Sequence, residues 1–269
     1  IEAWLKAAPV SYDAHLAAGM HYRGLGWIAR GTGFANQTSP TRFAEGHAHF
    51  AAAMRHARRS LALDARPMLS YALILDIARH LPGAEEREED DYAVALEMEP
   101  TSYLAYAHRM GALHPKWGGS AEAMHRLVRD ARAAGMQPES LARLDALRLW
   151  FLAEHEEGRD NRAALALVDR SIAVHEIASA LVMRGRVQRK LGDEGGAQAA
   201  FERALRLDPD DEYALNNLAR GHWLRGQRGL ALETYQRAAR AGNDWSANQV
   251  GLLLHSGAAG RRNPREAFD

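Results

Sequence analysis

Residues 178–211, ASALVMRGRVQRKLGDEGGAQAAFERALRLDPDD, and residues 212–240 that follow, EYALNNLARGHWLRGQRGLALETYQRAAR, decide the fold class. Shifted by 34 residues, the sequence lays Leu181 on Leu215, Gly185 on Ala219, Gly192 on Gly226, Ala197 on Ala231, Phe201 on Tyr235 and Ala204 on Ala238. In chain order these positions supply bulk, close approach, a turn, close approach, bulk and close approach. That is what two helices packed back to back through a tight turn require. Pro209 ends one unit because proline cannot continue a helix, and Asp210 and Asp211 then favour the positive N-terminus of the next.

Helical periodicity extends outward in both directions, and period-two alternation of β-branched and aromatic residues is missing, so the expected class is all-α. Candidate helices run from Tyr12 to Arg30, Thr41 to Leu63, Met68 to His80, Glu85 to Met98, Ser102 to Leu113, Ala121 to Ala134, Glu139 to Glu156 and Arg162 to Val174. They continue from Ile177 to Leu191, Gly195 to Leu207, Glu212 to Arg225, Gly229 to Arg240 and Trp245 to His255. The pattern at 178–240 resembles the tetratricopeptide repeat, a 34-residue helix-turn-helix unit. From Trp245 onward, Val250-Gly251, Gly257, Asn263 and Ala267 resemble the related Sel1-like repeat, with Gly260 one place later than that pattern has it. The resemblance implies an α-solenoid of about six stacked antiparallel helix pairs in a right-handed superhelix, its divergent repeats at 1–135 continuous with tetratricopeptide and Sel1-like repeats at 136–269.

Upstream the signature is degenerate. Ala164, Val168 and Ser171 keep the small, large, small order of a second helix, and Tyr92, Ala95 and Pro100 keep large, small and terminating proline. The first pair departs most, because a Gly-rich and polar stretch from Gly31 to Pro40 separates two long helices. With Leu113 to Ser120, it resembles the N-terminal region of an uncharacterised bacterial tetratricopeptide-like family, some of whose members are associated with secretion or toxin systems.

Composition removes whole classes of function. With 47% hydrophobic and 25% charged residues, the chain is neither disordered nor collagen-like. Lys plus Arg equals Asp plus Glu at 34 each, so no net field draws it to nucleic acid or an anionic membrane. Lys6, Lys116 and Lys190 are the only lysines; an Arg- and Ala-rich chain fits a GC-rich bacterial genome. No cysteine is present, which excludes disulfides, thiolate metal sites and thiol catalysis. No apolar run reaches the ~18 to 20 residues of a membrane helix, and a cytoplasmic location is expected, a periplasmic one staying open. The chain opens on Ile1, and Pro264 to Asp269 reads as the start of another helix, so a longer parent chain is expected.

The expected functional surface follows from repeat geometry, in which first helices line a concave face with ladders at positions two, five, nine and twelve. These are Ser179, Val182, Arg186 and Arg189, then Tyr213, Asn216, Arg220 and Trp223, then Trp245, Asn248, Leu252 and His255. Tyr, Trp and Arg dominate binding hot spots, and Asn216 with Arg220 one turn on resembles the clamp by which some tetratricopeptide proteins hold acidic peptide ends, without its usual lysines. Arg186, Arg189, Tyr213, Asn216, Arg220, Trp223, Trp245 and Asn248 are therefore the expected partner-binding residues, with packing between repeats as the alternative for both tryptophans. The expectation is a non-enzymatic scaffold for a protein or peptide, without cofactor; a toxin-neutralising or secretion-accessory protein is the second reading.

A third reading is a small-molecule or metal-dependent enzyme among the N-terminal helices. Glu45, His49 and His56 share a helix face while His47 points away, but His49 and His56 are ~10 Å apart along the axis, too far for one ion. His15 and His21 could join them from a neighbouring helix; Glu122 with His125 stands alone. Gly24, Gly26, Gly31 and Gly33 lack the preceding strand of a nucleotide fold. Around Lys116 to Ser120, a turn anchored by Trp117 with Ser120 as helix cap is expected, an anion site on free amides being the alternative. The acidic run Glu85, Glu86, Glu88, Glu89, Asp90 and Asp91 reads as a solvated helix start, with Arg55, Arg58 and Arg59 as an opposing basic cluster. No Gly-x-Ser-x-Gly, P-loop or HExxH motif occurs.

Overall fold

The computed structural model describes residues 1–31, 38–65, 67–83 and 85–257, the side chains of Glu85 and Glu86 excepted. Among them all regular structure is helical: α1 (Glu2–Ala7), α2 (Tyr12–Arg30), α3 (Pro40–Leu61), α4 (Met68–Ala78), α5 (Glu85–Met98), α6 (Tyr103–Ala112), a 3-10 turn at Pro115–Trp117, α7 (Ala121–Ala133), α8 (Pro138–Glu156), α9 (Asn161–Val174), α10 (Ala178–Lys190), α11 (Glu194–Leu207), α12 (Glu212–Leu224), α13 (Arg228–Arg240) and α14 (Asp244–Ser256). The expected all-α class is observed, and α2 and α5 have the expected ends. Helix α1 was not expected, since six residues are too few for a periodic pattern to register. The second Sel1-like helix, with Gly260, Asn263 and Ala267, lies outside the described residues, as does most of the Gly31 to Pro40 stretch.

The chain divides into two compact units, Ile1–Leu144 and Asp145–Asp269, with the boundary inside α8. Polar caps fix where many helices begin. Ser11, Ser39, Ser120, Asp160, Asp193, Asp211 and Asn243 each accept a backbone N–H from the first turn that follows. Such a cap contributes about 1 kcal/mol.

One packing register recurs in every second helix. In α11 and α13 it is Ala197, Phe201, Ala204 and Ala231, Tyr235, Ala238, all buried, and in α9 it is Ala164, Val168 and Ser171. The same spacing holds in α3 as Gly46, Phe50 and Ala53, in α7 as Met124, Val128 and Ala131, and in α5 as Glu88, Tyr92 and Ala95. The pairs are thus α2 with α3, α4 with α5, α6 with α7, α8 with α9, α10 with α11 and α12 with α13. Ser171 Oγ donates to Ala146 O at 2.7 Å, fastening α9 to α8. The close approaches are tight: a Cβ on Gly185 would lie 2.6 Å from the Phe201 ring, and one on Gly26 would lie 2.7 Å from that of Phe50.

The core of the first unit gathers Leu16, Phe50, Ala53, Ala57, Leu73, Ile74 and Ile77. Helix α4 is buried from Ser70 to Ala78, including Asp76. That carboxylate binds Arg23 of α2 and, at 2.6 Å, Arg79, while His108 of α6 lies 3.7 Å away. Burial alone would raise the Asp76 carboxyl, but Arg79 and Arg23 outweigh it and hold it below the usual carboxylate range.

The expected solvated acidic helix start is corrected in part. Glu88 and Asp91 are buried, because Glu88 occupies a small-residue position of the packing register and Asp91 faces α3. Arg58 of the expected basic cluster makes a two-pronged ion pair with Asp91. Arg109 lies 3.7 Å from Glu88 and 2.6 Å from Glu89. Burial raises the Glu88 carboxyl, against the opposing pull of Arg109 and Arg79.

Candidate functional site

In the second unit the first helices α10, α12 and α14 carry the expected ladders. Arg186 ion-pairs with Glu157, and Arg189 donates to Asn217 Oδ1 with its guanidinium 5.4 Å from the Phe201 ring. Tyr213 and Trp245 are about half exposed, at 49% and 48%, and Trp245 packs against Tyr235 with ring centroids 5.7 Å apart. Trp223 packs on the cluster of Ala219, Ala231, Tyr235 and Leu253, and the Arg228 guanidinium lies 5.6 Å from its ring. Asn216 Oδ1 accepts from Ser246 Oγ at 2.9 Å, joining α12 to α14. Asn248 and Arg220 are exposed, and among the described residues Arg220 has no hydrogen bond or ion pair.

Val182 is corrected. It is 6% exposed and packs with Leu181, Phe201 and Leu218, because α10 is covered on two sides and turns this position inward. Asn217, one residue beyond the expected Asn216, is the amide that meets Arg189: its Nδ2 donates to Tyr213 O at 2.7 Å and its Oδ1 receives Arg189. The 34-residue shift gives no signal for it, since position 183 holds Met, an apolar core residue.

Burial lowers the Arg189 guanidinium from its ordinary value, and the like charge of Arg220 lowers it further, against Glu194. Burial raises the Tyr213 and Tyr235 phenols, keeping both neutral as hydrogen-bond donors. A crevice of only about 10 Å³, room for about one water molecule, lies beside Arg189, Phe201, Asn217, Gly221 and Arg225.

Residues 178–211 match the tetratricopeptide repeat family, and residues 1–85 match a domain of unknown function (DUF4034). Residues 178–211 are a tetratricopeptide repeat. No curated protein matches the chain in sequence. Among solved structures, the chain is similar to the protective antigen c5321 of uropathogenic Escherichia coli, which displays an SLR fold, at 16% identity and a TM-score of 0.50 over 93% of this chain and 52% of that one. It is similar to yeast Tom70 at 15% identity and a TM-score of 0.50 over 96% of this chain and 57% of that one. The chain thus spans about half the length of each, and at this identity the likeness is one of fold. Beyond the tetratricopeptide repeat, α12 and α13 repeat its register, and α14 ends on Gly257 in the left-handed region.

The first unit, which holds the DUF4034 match, places its histidines in an aromatic cluster. His15 of α2 and His56 of α3 face each other with Nδ1 atoms 3.0 Å apart. The Tyr22 ring stacks parallel to His56 at 5.5 Å, lies 6.4 Å from His49, and meets His21 edge-on at 5.4 Å. Its hydroxyl donates to Glu2 of α1 at 2.5 Å. His47 turns away to Phe43, as expected, and Glu45 is exposed. Among the described residues no three His, Asp or Glu side chains gather as metal ligands. Sequence reasoning did not find Tyr22 or Glu2, which carry no metal-ligand spacing.

The Lys116 to Ser120 turn is corrected too. Trp117 is 70% exposed and so does not anchor the turn; His114, 1% exposed, holds it by accepting the Lys116 N–H at 2.9 Å on Nδ1. The amides of Trp117, Gly118 and Gly119 donate to His114 O or Pro115 O, which leaves no amide cradle for an anion. Ser120 caps α7 as expected. No helix of the described residues is long and apolar enough to cross a membrane.

Proposed function

We propose that the second unit binds an extended, acidic segment of another protein across α10, α12 and α14, with Arg186, Arg189, Tyr213, Arg220, Trp245 and Asn248 in contact and Asn216 and Trp223 holding the helices that present them. The observation that carries this reading is Arg220. It is an exposed guanidinium with no ion-paired carboxylate among the described residues, set against a second, partly buried arginine whose charge it disfavours, on the helix that also carries half-exposed Tyr213, with half-exposed Trp245 on α14. A carboxylate arriving between Arg189 and Arg220 relieves like-charge repulsion, and exposed aromatic rings supply the apolar area of a hot spot. The tetratricopeptide fold supports a protein-interaction scaffold of this kind.

The test is capture of partners from the source cell by mass spectrometry, followed by fluorescence anisotropy of the acidic segment they share. Charge reversal by Arg220→Glu is expected to weaken binding by about tenfold or more, and affinity is expected to fall with added salt. Asn216→Ala is the poorer probe because it also cuts the contact to Ser246. A partner held equally well by Arg220→Glu and by Trp245→Ala sinks the reading and moves attention to a folded partner of the first unit, as a toxin-neutralising protein requires.

A further inference from the structure

The first unit holds an open cavity of about 570 Å³ between α3, the end of α4 with the turn that follows it, and the start of α5. That volume lies within the ~300 to 1,000 Å³ of small-molecule sites. Met54, Ala78, Leu81 and Pro82 supply its apolar lining. Met54 and Leu81 also pack on the core cluster that contains Phe50 and Ile77, so the lining is a part of the core surface left uncovered.

Three guanidinium groups and one carboxylate, those of Arg55, Arg58, Arg87 and Asp91, share the same walls. Arg58 and Asp91 satisfy one another in the two-pronged ion pair that ties α3 to α5. Arg55 and Arg87 are exposed, and among the described residues neither has an ion pair or a hydrogen bond. The cavity therefore keeps two positive charges beside aliphatic surface, with its described carboxylate already engaged.

This combination selects a ligand. Among the described lining residues there is no aromatic ring on which a nucleotide base could stack, and no hydroxyl or carboxamide of the kind that orients a sugar or a peptide backbone. Met, Leu and Pro side chains gain by covering aliphatic surface, and an unpaired guanidinium gains by a two-pronged bond to a carboxylate. We infer that this cavity binds a free medium-chain aliphatic carboxylate, with the chain along Met54, Leu81 and Pro82 and the head between Arg55 and Arg87. Arg58 neutralises Asp91, which would otherwise repel the head. The inference concerns the first unit and stands apart from the partner-binding reading of the second.

The test is isothermal titration calorimetry of the delipidated full chain with decanoate, for which one site per chain is expected. Hexanoate has the same head and four fewer methylenes, and each buried methylene carries about fourfold in affinity. It is expected to bind about tenfold or more weakly, as is 1-decanol, which has the chain without the charge. Arg55→Ala and Arg87→Ala are each expected to raise the Kd of decanoate by about fivefold or more, with melting temperatures near wild type because neither arginine is paired. Arg59→Ala, exposed on α3 but outside the cavity lining, leaves the Kd unchanged. Hexanoate or inorganic phosphate binding as tightly as decanoate would show an anion site that reads no chain. Wild-type affinity in the Arg55→Ala, Arg87→Ala double variant would place the decanoate elsewhere. Either result, or no saturable binding of decanoate, overturns the inference.

Discussion

At the residue scale, partly buried imidazoles are expected to shape the acid response of the protein. His80 is pushed down to about 4 by burial first and by Arg79 second, against Asp76, as it stacks on Phe50 at 5.1 Å and meets Trp27 edge-on at 4.7 Å. A group whose folded value is depressed binds its proton more readily in the unfolded chain, so it contributes stability above its ordinary value of 6.5 that is lost as pH falls toward 4. His56 and His108 are lowered in the same direction, chiefly by burial. The melting temperature is therefore expected to fall between pH 6.5 and 4, and His80→Phe, which keeps an aromatic ring there, to reduce that slope in scans across the window. A slope identical to wild type would mean that His80 does not control it.

At the scale of the element, the helix pair stands on the contact between a glycine of its first helix and a ring of its second. Gly185 meets Phe201, and Gly26 meets Phe50. Adding a methyl group at Gly185 forces the ring off its rotamer or the helices apart, at a cost of about 1 to 3 kcal/mol in urea unfolding. Phe201→Leu in the same chain should return part of that loss, because the smaller side chain makes room; additive losses would show that the two residues do not clash. This register was legible at 178–240, where two successive repeats align. In α3 it was not read, although Gly46, Phe50 and Ala53 have the same spacing, because the first helix and turn of that pair are longer and no 34-residue shift brings it into line. In α5 it was obscured by Glu88, a charged residue in a small-residue position that only Arg109 and Arg79 make tolerable.

At the scale of the whole molecule, stability in stacked helix pairs is carried between neighbours, so damage stays local. Hydrogen exchange of Gly185→Ala is expected to accelerate across α9 to α13 and to stay near wild type in α2 to α4. Uniform acceleration through both units would show one cooperative block instead. The balanced charge of 34 basic and 34 acidic residues leaves local fields in command, so any charge-guided contact depends on local groupings of side chains and not on net charge.

The sequence by itself determined the helical class, the pairing of helices, the repeat at 178–211 and the Ser120 cap, because each is written in spacings of one to 34 residues along a single chain segment. Only the tertiary structure decided which side of α10 is buried, that His114 rather than Trp117 holds its turn, and that His15 meets His56 and Arg23 meets Asp76. Those last contacts join residues 41 and 53 positions apart. The angle at which two helices pack selects such partners, and that angle depends on the summed shape of every side chain between them.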